Sequence, residues 1–342
     1  DVSIPNFMFL LEENGYAIGH HSKGWGPGNY KAGGYDRNPC GPAMEFEKFL
    51  GQRQENTPFC FWLGTHDPHR PYEGPGDTDI SRVDVPPYLP DVEATRRDIA
   101  AYYQEVERWD RKVGRAVSAL EKAGELENTI IVNTGDHGYP FPRGKANLYD
   151  SGTRVPLAVR WGAQAAGGRR VKNPVSFTDL APTFLEAAGV DIPEVMTGRS
   201  FLHVLSSEKE GLVKPARDFV VFGKERHTPA QEAPSMAGYP CRAIRTDGWL
   251  YINNLKPHRW PNGSLHGSTH PRKHHPECDP GPTKEFIIEH RDEEPYRLHY
   301  DLCFAKRPAE ELYDLENDPA QINNLADDNE YQQVVQNLRN SL

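Results

Sequence analysis

The stretch NTGDHGYPFPRGKANLYDSGTRVP, residues 133–156, joins two short apolar segments. The first segment ends at Val132, and the second begins at Val155. Short apolar runs bounded by turn residues are typical of buried strands. An acid and an imidazole, Asp136 and His137, follow the first run, and Lys145 follows in a turn-rich loop. Polar groups placed directly after a strand indicate an α/β fold with reactive side chains at the carboxyl ends of its strands.

Strand-like and helix-like segments alternate through the first 200 residues. The predicted strands are 15–20, 58–65, 128–136 and 154–162, and the predicted helices are 7–14, 43–54, about 92–122 and 178–189. The pattern predicts an α/β fold with a central, mostly parallel sheet flanked by helices. Thr178 is the expected N-cap of the helix that follows it.

The alternation of predicted strands and helices ends at about residue 205. Strand-like segments cover 219–225 and 242–255, and Asp247-Gly248 predicts a hairpin turn in the second. A loop rich in Pro, His and Gly covers 256–283, and EELYDLENDP leads to a final helix. We therefore predict a main α/β domain, residues 1–204, and a smaller C-terminal α+β subdomain of antiparallel sheet plus helix, residues 205–342.

Composition excludes several classes of protein. The 342 residues carry a formal net charge of −10, which argues against general nucleic-acid binding. No apolar run reaches the length of a membrane span. Five irregularly spaced cysteines do not form a disulfide framework. The chain begins without a signal-peptide pattern and almost at once enters a helix, so we expect that earlier residues are cleaved or lie on a separate chain.

Three polar clusters follow predicted strands. They are His20, His21 and Lys23; His66, Asp67, His69 and Arg70; and Asp136 and His137 with Lys145. Taken singly, each has an ordinary structural explanation, such as an Asx turn, a hydrogen-bonded loop corner or a solvated lysine. Their shared position after strands favours one site, with half of a metal centre and cations for an anion.

These residues carry a family resemblance. The motif DHG-x6-K-x3-Y followed by G-x-RVP resembles the second signature of the formylglycine-dependent sulfatases, which belong to the alkaline phosphatase superfamily. HDPHRPY, TGRSF and PAEELYDLENDPAQINNLA resemble further segments of that family in the same order. HDPHR, GYPFPRGKANLY and the stretch from VFGKERH to YINNLKP are most similar to its sulfamidase members. The resemblance implies an alkaline-phosphatase-like fold.

The resemblance also implies a metal ion. Asp136 would be a carboxylate ligand and His137 its neighbour, where many family members have asparagine. An imidazole ligand by itself favours zinc or a transition metal. The family implies Ca²⁺, held mainly by carboxylate oxygens, and we follow the family while leaving another divalent ion open.

Three residues match catalytic positions of the family. Lys145 would hold the sulfate group and the nucleophile, and His66 would protonate the leaving group or bind sulfate. Lys23 matches a lysine that the family follows with a histidine, but Trp25 stands where that histidine is expected. One of the two adjacent histidines before Lys23 is a candidate replacement. Arg226 and His227, in a segment expected to reach the substrate, and His69 are assigned to substrate binding.

The expected nucleophile is a formylglycine made from cysteine in C-x-P-S-R or C-x-A-x-R. CRAIR, Cys241–Arg245, matches literally, but it lies on an alternating strand after the Asp-His pair, and we reject it. Cys40 in CGPAM fails because Met44 replaces the arginine. We expect the nucleophile and the family's paired aspartates on a preceding N-terminal segment, and residues 1–342 to be inactive alone.

The resemblance implies a sulfatase that removes O- or N-linked sulfate from sulfated sugars or glycans, in a secreted, periplasmic or lysosome-like compartment. A phosphomonoester or phosphodiester hydrolase on the same scaffold and a non-catalytic glycan-binding relative stay open. HGSTHPRKHHPEC, residues 266–278, includes His266, His270, His274, His275 and Cys278. Its spacing fits no standard zinc pattern, so we favour a surface or substrate-rim loop. Asn262 is a glycosylation acceptor only in a secretory eukaryote.

Overall fold

The structure is a computed structural model that describes residues 2–26, 28–232, 234–266 and 274–342. Its helices are α1 Phe7–Glu13, α2 Phe46–Gln52, α3 Glu93–Lys122, α4 Asp150–Thr153, α5 Leu180–Ala187, α6 Leu202–Leu205, α7 Pro282–Glu289, α8 Arg297–Cys303 and α9 Gln332–Ser341. Its strands are β1 Ala17–His21, β2 Phe59–Leu63, β3 Ile131–Thr134, β4 Leu157–Arg160, β5 Phe219–Lys224, β6 Cys241–Thr246, β7 Trp249–Asn254 and β8 Glu310–Asp314.

The chain forms two compact units that alternate along the sequence. Unit 1 comprises residues 1–69, 105–131 and 159–216. Unit 2 comprises residues 70–104, 132–158 and 217–342. The domain boundary at residue 204 stays a prediction. In the structure, residues 70–104 and 132–158 group with the C-terminal region.

A parallel pair of strands organises unit 1. β1 and β2 run in register, with His21 opposite Leu63 at their carboxyl ends. Phe46 and Phe49 of α2 pack on this pair, and their rings contact those of Phe59 and Phe61 in β2. The spacing of Phe59 and Phe61 explains why α2 covers this face, because alternate residues of a strand point to the same side and these two present their rings to α2. The two carboxyl ends therefore lie side by side.

Helix α5 begins differently from the sequence prediction. Thr178 is not its cap. Ser176 and Asp179 form a capping box around a 3₁₀ turn, Phe177–Asp179, that leads into α5. The buried Asp179 carboxylate accepts hydrogen bonds from the backbone N–H of Ser176 at 2.7 Å and of Arg199 at 2.8 Å. A carboxylate stabilises this helix start better than a threonine hydroxyl would, because its two oxygens accept from backbone N–H groups of two segments.

A four-stranded antiparallel sheet dominates unit 2. The strand order is β5-β6-β7-β8, and Asp247-Gly248 forms the predicted turn between β6 and β7. Val335 and Leu338 of α9 pack with residues from one face of this sheet. β3 and β4 form a separate two-stranded sheet. The expected fold class, parallel strands and helices followed by an antiparallel sheet with a helix, is confirmed.

A second core cluster in unit 2 gathers three stretches that are distant in sequence. Ile99 and Ala100 of α3 pack with Phe141, with Ile287 of α7 and with Phe304. The sequence predicted neither α7 nor α8. Phe141 follows Asp136 and His137 by a few residues, so this cluster fixes the loop that carries the expected site residues.

Two further sequence expectations can be compared with the described residues. No helix in these ranges is both long and apolar enough to span a bilayer. All five cysteines are among the described residues and carry free thiols.

Candidate functional site

In unit 1, Lys23 and the loop of His66 come to the same end of the parallel strands. The backbone N–H of Gly64 donates to the His21 carbonyl at 3.0 Å. A β-carbon on Gly64 would lie 2.2 Å from the carbonyl oxygen of Lys23, so only glycine permits this approach. His66 and His69 are exposed, and the His69 N–H donates to the His66 carbonyl at 2.7 Å. The two predicted segments are therefore neighbours in this unit.

The other polar residues of HDPHR are held by structural ion pairs. Asp67 accepts a hydrogen bond from Lys112 Nζ at 2.8 Å. Partial burial opposes ionisation, but this bond and the Lys112 charge outweigh it and lower the pKa of Asp67. In unit 2, Arg70 donates to both carboxylate oxygens of the buried Asp98, at 2.7 and 2.8 Å. Of the predicted cluster, His66 and His69 are the groups that present their rings to solvent.

His20 is a core histidine and does not replace the histidine expected at Trp25. It is 6% exposed, and its Nδ1 lies 3.0 Å from the Gly41 carbonyl oxygen. Its ring packs closely on Gly24, where a β-carbon would lie 2.6 Å from the imidazole. His21 Nδ1 lies 3.4 Å from the Glu45 carboxylate. The structure thus gives His20 a packing role.

In unit 2, Asp136 and His137 lie directly beyond β3. The Asp136 side chain is 81% exposed, and His137 Nε2 lies 3.6 Å from its Oδ1. His137 Nδ1 lies 2.7 Å from the Gly138 carbonyl oxygen. Among the described residues, no group of three or more His, Cys, Asp or Glu side chains could hold a metal ion. The pair supplies an open carboxylate and a ring nitrogen, which fits part of a divalent-ion site and no more.

Lys145 is held by a buried carboxylate of unit 2. Its Nζ donates to Asp279 Oδ2 at 3.0 Å, and the two side chains are 11% and 1% exposed. Arg143 anchors the loop to the interior of the unit. Its buried guanidinium donates to the Leu302 carbonyl at 2.5 Å and covers the Tyr149 ring. Ser151 Oγ donates to the Arg143 carbonyl at 2.7 Å. The Lys145 ammonium is therefore a fixed charge and not a mobile surface group.

A second lysine and carboxylate pair involves the segment KERHTP, residues 224–229, through its lysine. Lys224, at the end of β5, donates to Glu277 Oε2 at 3.0 Å and to the carbonyls of Ala146 and Pro261. Glu277 Oε1 accepts the backbone N–H groups of His227 and Thr228, both at 3.3 Å. This pair joins the Lys145 loop to the segment that carries His227.

His227 experiences charges from both pairs. Desolvation lowers its pKa first, and the cations of Lys145 and Lys224 add to that effect, while Glu277 and Asp279 oppose it. Unit 2 therefore brings the predicted residues Lys145 and His227 into one electrostatic environment. Arg226 donates to the Met236 carbonyl at 3.0 Å and remains exposed.

Sequence reasoning missed Glu277 and Asp279. Glu277 lies in the His-rich segment 266–278, for which we predicted a surface or substrate-rim loop, and Asp279 follows that segment directly. Residues 275–279 are all buried. His275 places Nδ1 2.8 Å from the Gly263 carbonyl and Nε2 3.2 Å from the Tyr300 hydroxyl, so both ring nitrogens are engaged. His270 lies outside the described residues. Their burial depends on contacts with segments that are distant in sequence, so no local pattern could have identified them.

The rejected CRAIR motif forms β6. Cys241 is 4% exposed, and burial raises the pKa of its thiol to about 11. Arg245 donates to both carboxylate oxygens of Asp150, at 2.8 and 3.0 Å. The two residues thus serve the sheet and an ion pair, in agreement with the rejection.

Comparisons with known proteins place this arrangement in a family. The sulfatase family profile matches residues 43–190, and the profile of the C-terminal region of N-sulphoglucosamine sulphohydrolase matches residues 135–249. An ulvan-active sulfatase of Formosa agariphila is 30% identical over 77% of this chain and 40% of its own length. Human N-sulphoglucosamine sulphohydrolase is 29% identical over 86% of this chain and 61% of its own length.

A solved structure supports the fold. A protein in complex with its substrate D-glucosamine-2-N,6-O-disulfate matches with a TM-score of 0.58 at 18% identity, over 98% of this chain and 80% of that chain. The chain thus spans between two fifths and about three fifths of the two sequence relatives. The two family profiles overlap on the segment that holds Asp136, His137 and Lys145. The chain belongs to the sulfatase family.

Proposed function

We propose that this chain forms part of a sulfatase that hydrolyses O- or N-linked sulfate groups of sulfated sugars or glycans. One observation carries the proposal. The sulfatase profile and the N-sulphoglucosamine sulphohydrolase C-terminal profile both cover the loop in which a buried carboxylate fixes the Lys145 ammonium. A fixed cation in the loop that follows a strand is suited to a sulfuryl group, which carries its negative charge on non-bridging oxygens.

The residues of unit 2 have distinct tasks in this proposal. Lys145 binds a sulfuryl oxygen, and its attachment to Asp279 removes the entropy cost of ordering a flexible side chain. His227 remains neutral near pH 7 because its pKa is lowered, so its ring is suited to hydrogen bonds with sugar hydroxyl groups. Arg226 is the accompanying substrate contact.

We propose roles for three residues of unit 1 as well. His66 donates a proton to the bridging atom as the bond to sulfur breaks, and Lys23 binds the sulfuryl group. His69 contacts the sugar. Because Lys23 and the His66 loop are neighbours beyond β1 and β2, one ligand can contact both segments.

We also propose a divalent ion, Ca²⁺ in the first instance, held in part by Asp136 and His137. The ion would neutralise charge on the sulfuryl oxygens. The open Asp136 carboxylate supports this assignment, because hard cations prefer carboxylate oxygen. We propose a secreted, periplasmic or lysosome-like location, where sulfated glycans are degraded.

The natural full-length protein tests the function. Sulfate release is measured from N-sulfoglucosamine and glucose 6-sulfate in the presence of Ca²⁺, for the wild type and for the double variant Lys145→Met/Asp279→Asn. The double variant removes the cation without leaving a buried carboxylate unpaired, and we expect at least a hundredfold loss of kcat/KM, about 2.7 kcal/mol. Lys256→Met, at an exposed lysine, is the control.

Two results would contradict the proposal. Faster turnover of p-nitrophenyl phosphate than of every sulfate ester would assign the site to a phosphate hydrolase. Saturable binding of sulfated sugars without turnover would assign it to a glycan-binding relative.

A further inference from the structure

The segment that we call the acidic loop, residues 275–279, is fixed inside unit 2. Lys284 of α7, which is 6% exposed, donates to the carbonyls of His275 at 3.1 Å and Cys278 at 2.9 Å. The His275 ring stacks on Phe304 with a centroid separation of 4.6 Å. The loop therefore presents its two carboxylates, Glu277 and Asp279, from a rigid backbone.

The charges around Lys145 nearly cancel. Lys145 and Lys224 contribute two positive charges, and Glu277 and Asp279 contribute two negative charges within hydrogen-bond distance of them. The Asp279 carboxylate is the nearer of the two to the Lys145 ammonium, at 3.0 Å, and its side chain is 1% exposed. An anion bound to Lys145 therefore lies close to a buried negative charge that solvent screens poorly.

Sulfate and phosphate monoesters differ in charge. A sulfate monoester carries one negative charge, and a phosphate monoester carries two above its second pKa of about 6. Repulsion from Asp279 grows with ligand charge, so it opposes a dianion twice as strongly as a monoanion. At about 6 Å and an effective dielectric constant of roughly 20 to 40, one extra charge corresponds to a tenfold to hundredfold difference in affinity, as an order of magnitude.

We propose that Asp279 is a specificity-determining residue that shifts the preference of the Lys145 site toward monoanionic ester groups and away from dianionic ones. This inference rests on the proposed function, because it takes Lys145 as the group that binds the ester. Asp279 holds the ammonium in place and at the same time limits the charge that the site accepts.

A matched ligand pair tests the inference. Dissociation constants for glucose 6-sulfate and glucose 6-phosphate are measured calorimetrically at pH 8 with the full chain and with Asp279→Asn, which keeps the size of the side chain and removes its charge. In Asp279→Asn the ratio of the two dissociation constants should move toward the phosphate by about tenfold or more.

A second measurement varies the charge of the ligand. As the pH falls from 8 to 5, glucose 6-phosphate takes up a proton and becomes a monoanion. The effect of Asp279→Asn on the ratio of the two dissociation constants should therefore shrink as the pH falls. Glu289→Gln, which removes an exposed negative charge on α7, should leave the ratio at pH 8 unchanged.

The outcomes separate the two proposals. An unchanged ratio in folded Asp279→Asn, with binding retained, overturns the selectivity and leaves the sulfatase function standing. Loss of both ligands in this variant shows a purely positioning role and likewise overturns selectivity. A full-length protein that neither binds nor turns over sulfate esters overturns the proposed function, and this inference with it.

Discussion

At the scale of single residues, two lysines of unit 2 that would usually be solvated are buried against carboxylates. Lys145 and Lys224 each have side chains 11% exposed, and their partners Asp279 and Glu277 are 1% exposed. The sequence identified Lys145 because it lies in a motif. It could not identify its partner, because 134 positions separate the two residues and ion pairing leaves no local pattern.

The charge of Glu277 should be measurable at His227. Glu277 raises the pKa of His227 against the stronger desolvation, so Glu277→Gln should lower that pKa further, and Lys224→Met should raise it. Both shifts can be followed by NMR titration of the imidazole carbon resonances. Glu289→Gln serves as the control on a distant carboxylate, and equal or inverted shifts in the first two variants would refute the electrostatic description.

At the scale of elements, periodicity predicted what local sequence determines. The apolar spacing predicted a helix over about 92–122, and the structure has α3 at Glu93–Lys122. β8 was obscured because Glu311, inside the strand, faces the core and accepts hydrogen bonds from Tyr149, Tyr313 and Asn254. A buried acid in an alternating pattern resembles an exposed position. The sequence therefore predicts a connection to the final helix here and no strand.

The start of α5 offers a direct comparison of two adjacent residues. Asp179→Ala removes an acceptor that satisfies two backbone N–H groups, and we expect it to lower the free energy of unfolding by about 2 kcal/mol. Thr178→Ala should change the free energy of unfolding by less than about 0.5 kcal/mol. Thr178 is exposed, and its hydroxyl donates to the Ser176 hydroxyl and does not cap the helix. Urea denaturation of both variants measures the difference, and equal losses would show that the cap is wrongly assigned.

At the scale of the whole molecule, the buried His275 connects folding to pH. Burial lowers the pKa of His275 to about 3, with a smaller contribution from the Lys284 charge, against the opposing hydrogen bond to Gly263. In the unfolded chain the His275 imidazole takes up a proton near pH 6.5, whereas in the folded chain it takes up a proton only near pH 3. Stability from this residue is therefore complete above pH 6.5 and is lost as the pH falls toward 3.

The expected loss is at most about 1.4 kcal/mol per pH unit in that window. Urea denaturation at pH 7.5 and pH 5 should show a steeper fall for the wild type than for His275→Gln, which lacks the titrating ring but is less stable at pH 7.5. His258→Gln, at an exposed histidine, should retain the wild-type slope. An equal slope in all three proteins would exclude His275 as the cause.

The candidate site shows where sequence reasoning stops at this scale. Strand ends and motif spacing, which are local features, indicated Asp136, His137 and Lys145, and the family resemblance of its segment indicated His227. The sequence predicts a surface or substrate-rim loop for residues 266–278, because Pro, His and Gly suggest exposure, while the burial of the acidic loop depends on Lys284 and Phe304. Those contacts arise from tertiary packing and have no signature within the loop itself.

The interleaving of the two units has a consequence for biosynthesis. Residues 70–104 leave the ribosome early, but the cluster that buries Ile99 also requires Ile287 and Phe304. The outer strand β8 and the helix α9 that packs on the sheet emerge later still. During translation, the early half of this cluster therefore exposes apolar side chains until Ile287 and Phe304 have emerged. A nascent chain of this design would depend on chaperones to prevent aggregation until then.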